Sequence, residues 1–280
     1  MAAPTVPSTG FCCRRRLSPG SCQSRPELCL NPRRAVSSFI PCRGNRGGNM
    51  GERIVSLHAF YKHGEVEADA YLSHPTAPGP WPAVIVAHEW WGLEEHFRDF
   101  SRELASHGMV VLVPDLYHGK VTGDPAEAAL LKTSLDIDRA VEEIGVAAAY
   151  LRNLPFVSEK VSIVGFCMGG GLALLAASRS SEFSAGVIYF PSIYPDTSEL
   201  ENISCPLQFH YGTADTVTPR SEIDRITRTL DGAGKLYELH LYEGADHAFV
   251  NDMHPEHYDQ ESTQATWPRT VEFLNRHTRE

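Results

Sequence analysis

The run Val161-Ser162-Ile163-Val164-Gly165-Phe166-Cys167-Met168-Gly169-Gly170-Gly171 leaves this chain few folding options. Four residues of strand character enter a Gly-x-Cys-x-Gly, and Leu172–Ala177 continue as a small-residue apolar helix. Strand, tight turn, helix is the setting that pushes one side chain out at a helix N-terminus. The tip, Cys167, is predicted at strained backbone angles, with Gly165 and Gly169 letting the backbones pass and Gly170 and Gly171 bringing the helix close to a sheet. The unpaired N–H groups and the helix dipole at that point favour negative charge, so a thiol placed there is biased toward thiolate. The plainer alternative is a Gly-rich turn around a buried structural cysteine.

Around this run, strands and helices alternate. Arg53–Phe60 and Glu65–Ser73 read as an antiparallel hairpin about a turn at Lys62-His63-Gly64. Ala83–Ala87 and Met109–Val113 are continuous apolar runs, as in strands buried on both faces. Glu94–His107 and Asp136–Leu154 carry apolar residues at helical spacing, and another helical segment starts near Pro125. Strands are predicted at Gly186–Phe190, Leu207–Tyr211 and Leu236–Tyr242, a loop after Phe190, and helices at Ser221–Leu230 and from about Thr263 to His277. The pattern predicts an α/β fold: a three-layer sandwich with a mostly parallel central sheet and helices on both faces. In such sheets the chemistry lies at the carboxyl ends of the strands.

Charge divides the chain. Residues 1–50 hold eight Arg, one acid (Glu27) and five of the seven cysteines, a net +7 that leaves −17 on the remainder. That segment has no hydrophobic periodicity and is expected to be a disordered leader over 1–49, followed by one domain over 50–280. Arg- and Ser-rich and nearly acid-free, it reads as a transit peptide to a plastid or mitochondrion. A start at Met50, with a cytoplasmic protein, is the alternative. The overall charge of −10 argues against nucleic-acid and anionic-membrane partners.

Candidate chemical groups sit after successive strands: Glu89, Cys167, Asp215 and His247. Nucleophile, acid, His is the chain order of an α/β-hydrolase triad. His247 can take the Cys167 proton or pair with its thiolate, and Asp215 would orient the imidazole. Met168 N–H, directly after the nucleophile, and Trp90 N–H, in the loop after Ala87, are the expected oxyanion donors. Glu89, poorly solvated beside Trp90 and Trp91, is expected to hold its proton readily and to accept from or share a proton with the thiol. His88 reads as a packed strand-end residue, and His254 and His257 as solvated loop histidines. His88-Glu89-Trp90-Trp91 is not a His-Glu-x-x-His zinc helix, because the second His is missing.

These residues together resemble the dienelactone hydrolase (carboxymethylenebutenolidase-like) family of α/β-hydrolases. The likeness runs from about Met50 to the C-terminus. It rests on His88-Glu89-Trp90-Trp91-Gly92, Pro114-Asp115-Leu116-Tyr117, Gly165–Gly170, Gly212-Thr213-Ala214-Asp215, His247-Ala248-Phe249 and Thr266-Trp267-Pro268-Arg269-Thr270. It implies the α/β-hydrolase fold and hydrolysis of enol-lactones or related esters by a Cys-Asp-His triad. It also implies a Glu89 that controls thiol activation, and neither metal nor organic cofactor. Tyr117, Lys120, Phe249 and Asn251 become the candidate substrate-contacting positions. Where the bacterial enzymes hold a substrate carboxylate with arginines, this chain has Asn251 and, one residue displaced, Lys120. The departures bear on which lactone or ester is bound, not on the reaction class. The expected partner is a small lactone or ester, and the expected state a monomer or weak homodimer. Two other readings stand beside this one. An idle α/β-hydrolase serving as a binding protein would not need Cys167, Asp215 and His247 together. A serine-peptidase-like relative would carry Ser at the tip and a propeller or long lid.

Overall fold

The computed structural model describes residues 53–63 and 66–279, so the leader and the turn of the first hairpin lie outside the described residues. β1 (Ile54–His63) and β2 (Val66–Pro75) pair antiparallel in a register from Ile54–Pro75 to His63–Val66. β3 (Trp81–Ala87), β4 (Val110–Pro114), β5 (Val157–Phe166), β6 (Phe183–Tyr189), β7 (Leu207–Gly212) and β8 (Tyr237–Tyr242) complete one eight-stranded sheet. Its order is β1-β2-β4-β3-β5-β6-β7-β8; β2 also meets β4 antiparallel, and every later pairing is parallel. The expected mostly parallel sheet is therefore present, with the hairpin covering one edge. The apolar runs explain the centre: residues 83–87 of β3 and 110–113 of β4 are fully buried.

Helices cover both faces. α1 (Glu95–Ser106) and α7 (Gln260–Thr278) share one, where Phe100 meets Trp267 edge-on at 5.0 Å and Trp267 Nε1 donates to His107 Nε2. α3 (Ile137–Arg152) and α4 (Met168–Arg179) pack together on the other. α5 (Thr197–Asn202) joins α4 to α6 (Arg220–Gly232) on that face. α2 (Pro125–Ser134) starts with Pro at its first turn, and the Asp124 carboxylate accepts from the Ala126 and Glu127 N–H groups. α5 falls in the segment expected to be loop. It buries only Leu200, too little for a periodic signal, but Asp196 and Glu199 form a reciprocal capping box that marks its start.

On the α7 face a ladder of rings runs beneath the strand ends. Phe166 stacks on Tyr189 at 4.5 Å, and Tyr189 on His210 at 4.4 Å. Burial lowers the His210 pKa well below its ordinary value, so the ring sits neutral in the ladder. This apolar floor fixes the end of β5, from which the functional turn springs.

Candidate active site

Cys167 leaves β5 at φ 51°, ψ −114°, the left-handed side that side chains avoid. The turn is held from both directions. Cys167 N–H donates to the Tyr189 carbonyl at 3.0 Å, and the Cys167 carbonyl accepts from Ser192 N–H at 3.0 Å. Gly169 is required by a close approach: a Cβ there would lie 2.2 Å from the Ala87 carbonyl oxygen. That approach brings the start of α4 against the loop after β3. Met168 is the first residue of α4, and Trp90 lies in the turn closed by Gly92 N–H donating to the Glu89 carbonyl.

Asp215 and His247 follow β7 and β8. Asp215 Oδ1 accepts from Val217 N–H at 2.7 Å and Thr218 N–H at 2.8 Å. Its Oδ2 accepts from His247 Nδ1 at 2.8 Å. The Asp215 side chain is 2% exposed, so this pair is shielded. The imidazole packs edge-on against Phe190 at 5.0 Å. His247 Nε2 is buried and takes no hydrogen bond. Burial alone lowers the His247 pKa, but the negative charge of a Cys167 thiolate, with the Asp215 carboxylate behind the ring, raises it to about 10. Sulfur, imidazole and carboxylate therefore meet at the carboxyl edge of the sheet.

The dienelactone hydrolase family model matches residues 68–278, three quarters of the chain. The chain belongs to the dienelactone hydrolase family. Among its relatives, Carboxymethylenebutenolidase 1 of Cupriavidus pinatubonensis is 30% identical over 214 residues, covering 73% of this chain and 90% of that protein. Protein usf of Aquifex pyrophilus is 31% identical over 223 residues, covering 77% and 95%. A solved dienelactone hydrolase-like promiscuous phosphotriesterase from metagenomic libraries superposes with a TM-score of 0.74 at 20% identity. It covers 80% of this chain and 99% of that one, a likeness of fold. As a member of this family, the chain is a carboxylic ester hydrolase of α/β-hydrolase fold.

Other expected site residues are placed differently. Glu89 is 1% exposed, as its neighbours predicted, but it does not bond the thiol. Its Oε2 accepts from Asn251 Nδ2 at 2.9 Å, and its Oε1 is buried without a partner. Asn251 is fully buried, so it braces Glu89 rather than facing substrate. Its Nδ2 also reaches Glu94 Oε2 at 3.4 Å. Burial raises the Glu94 pKa, opposed by His254 and the Asn251 amide. Phe249 is likewise fully buried, packed against Phe190 and Tyr242, and supports the His247 loop from the core.

His254 is not the solvated residue that loop composition suggested. It stacks on Trp91 at 4.3 Å and contacts Glu94 Oε1 at 3.3 Å. His257, 43% exposed, fits its expectation and pairs with Asp246 at 2.9 Å. His88 is a packed strand-end residue: Leu116 N–H donates to its Nε2, which leaves Nδ1–H to donate to the Glu89 carbonyl at 2.7 Å. Cys205 is buried, and burial pushes its thiol up to about 11.

Tyr117 and Lys120 do share a groove, of about 240 Å³, with Leu116, Leu131 and Leu135. Tyr117 Oη donates to Met168 Sδ, on the residue after the nucleophile, at 3.1 Å. Among the described residues no cluster of three or more His, Cys, Asp or Glu could hold a metal ion. None of their helices is long and apolar enough to cross a membrane. Two groups beside the sulfur were absent from the sequence-based expectations. Ser192 Oγ lies 3.3 Å from Cys167 Sγ, and Lys132 Nζ donates to that same oxygen at 2.9 Å.

Proposed function

We propose that this family member cleaves lactones or related carboxylic esters through Cys167, His247 and Asp215, by way of an acyl-thioester. The observation that carries the reading is the 2.8 Å Asp215–His247 bond, whose ring presents an unpaired Nε2 on the side of the Cys167 sulfur. The Cys167 thiolate attacks the carbonyl carbon, forming a C–S bond while the C=O electrons move to oxygen. Met168 N–H and Trp90 N–H receive that oxyanion; one such donor is typically worth about 3 kcal/mol in the transition state. As the intermediate collapses, the C–O bond breaks and the leaving alkoxide takes the proton from His247 Nε2. In a lactone that alkoxide stays tethered. His247 then removes a proton from water, the hydroxide attacks the thioester, and collapse releases the acid and restores the thiolate–imidazolium pair. The groove beside Tyr117 and Lys120 receives the distal part of the substrate.

Iodoacetamide should abolish turnover of p-nitrophenyl acetate. Peptide mass spectrometry should find Cys167 modified in step with the loss, and Cys205, whose thiol burial pushes up to about 11, unmodified at neutral pH. Turnover that survives full alkylation of Cys167 would sink the thiol mechanism, and no turnover in folded protein would favour the idle binder.

The raised His247 pKa also fixes the sign of the pH dependence. His247 must carry a proton to release the alkoxide, and with its pKa at about 10 it keeps that proton through the neutral range. kcat/KM, which reports the free enzyme, should hold from pH 7 to 9 and fall as pH rises toward about 10, while the acid limb belongs to protonation of the pair as a whole. An alkaline fall centred near the ordinary histidine value of about 6.5 would rule out the ion pair.

A further inference from the structure

We infer that Ser192 and Lys132 form a second polar arm on the nucleophile, in which Lys132 fixes the Ser192 hydroxyl as a donor that holds negative charge on the Cys167 sulfur. The inference rests on the thiol reading above and adds two residues to it.

The direction of each bond follows from donor chemistry. An ammonium has three donors and no acceptor, so Ser192 Oγ must accept from Lys132 Nζ at 2.9 Å. That uses a lone pair and leaves the hydroxyl hydrogen to point elsewhere. Cys167 Sγ, 3.3 Å away, is the partner it meets. A hydroxyl donating to sulfur favours the thiolate over the thiol, and a positive charge on the far side of the hydroxyl strengthens the donor.

The backbone shows that Ser192 is held for this contact. Its N–H donates to the Cys167 carbonyl at 3.0 Å, so the residue grips the turn by main chain and side chain at once. The preceding Pro191 carbonyl accepts from Thr218 Oγ1 at 3.0 Å, and Thr218 N–H is bound by the Asp215 carboxylate. One short segment thus connects the carboxylate loop to the sulfur. Lys132 comes from the last turn of α2, which is anchored by its Asp124 cap. In this arrangement Ser192 touches the reacting atom and is a catalytic residue, while Lys132 acts through it and is a positioning residue. The other groups around the sulfur are His247 after β8, Tyr117 after β4 and Tyr194 after β6. None of them is altered in the variants below.

Alkylation by iodoacetamide reads the arm without requiring substrate turnover. The sulfur electron pair forms the S–C bond as iodide leaves, so the rate at Cys167 follows the thiolate fraction. The full-length protein is used, with the modified residue identified by mass. On the acid limb, below the pH at which the thiolate–imidazolium pair is fully formed, Ser192→Ala and Lys132→Met should each slow Cys167 alkylation by up to about tenfold, the effect of one unit in thiol pKa. The difference should close on the plateau at higher pH, where the pair is fully formed with or without the arm. Lys132→Arg should recover most of the rate, and Ser192→Ala/Lys132→Met should be no slower than Ser192→Ala alone. Ser192→Ala keeps the backbone grip on the turn, and Lys132 is only half-buried, so the two variants test the arm independently.

A rate deficit that is the same on the acid limb and on the plateau, or a double variant whose losses multiply, would overturn the arm. So would unchanged rates in both single variants. Each of these leaves thiol-dependent turnover of the unaltered protein intact. Failure of the thiol reading looks different, because the unaltered protein then keeps turning over after Cys167 is blocked.

Discussion

Asp215→Asn should lower kcat about 10³- to 10⁴-fold with little change in thermal stability, the scale on which the acid of a triad acts through tautomer control. The substitution keeps the shape of the side chain but not its polarity. The oxygen facing Val217 N–H and Thr218 N–H, at 2.7 and 2.8 Å, must remain an oxygen to satisfy both donors. The new amide nitrogen is therefore forced into the place of Oδ2, where its hydrogens point at His247 Nδ1. Nδ1 can then only accept. The ring proton moves to Nε2, and the base that must take a proton from water is lost. Loss of the carboxylate charge also removes a contribution that raises the His247 pKa, so residual activity should fall off at lower pH than in the unaltered enzyme. The check is kcat against pH beside a thermal melt. A loss below tenfold in stably folded protein would mean that Asp215 does not set the tautomer.

Asn251→Asp has the largest expected effect on stability. Asn251 Nδ2 is the donor to the Glu89 carboxylate at 2.9 Å, with Glu94 at 3.4 Å, and the three side chains are almost wholly buried. The substitution removes that donor and adds a third acid. Uncompensated buried charge of this kind typically costs about 3–5 kcal/mol. The sign with pH follows from the carboxyl groups. Burial and the Glu89 charge already raise the Glu94 pKa, and the Asn251 amide opposes the rise. With the amide gone, the folded protein binds protons more readily than the unfolded chain, so the stability deficit grows as pH rises. Urea midpoints measured against the unaltered protein should differ most at pH 8 and least near pH 5. A deficit independent of pH would show that the cost is steric rather than electrostatic.

These two sites differ in how far the sequence reveals them. The turn at Cys167 is written in contiguous residues, because strand, glycines and small-residue helix are all local features. Asp215 and His247 are legible through their order after successive strands. The Asn251 bridge is not, because Glu89 lies 162 residues away and nothing near Asn251 says which acids its amide will meet. Ser192 and Lys132 are hidden for the same reason. A lone Ser in a Pro-rich loop and a Lys on a short helix are ordinary until folding brings them 2.9 Å apart across 60 residues. Loop composition points His254 to solvent, whereas Trp91 supplies a flat partner that covers its ring. α5 could have been found from Asp196 and Glu199, three apart at a helix start.

The backbone at Cys167 carries a further consequence. A residue fixed at φ 51° and ψ −114° sits where only glycine is at ease, and hydrogen bonds to the Tyr189 carbonyl and from Ser192 N–H keep it there. The reactive atom is thus displayed at the expense of the folded state's own stability. Selection for heat resistance at this position would drift toward glycine and silence the enzyme, and selection for chemistry would hold the discomfort in place.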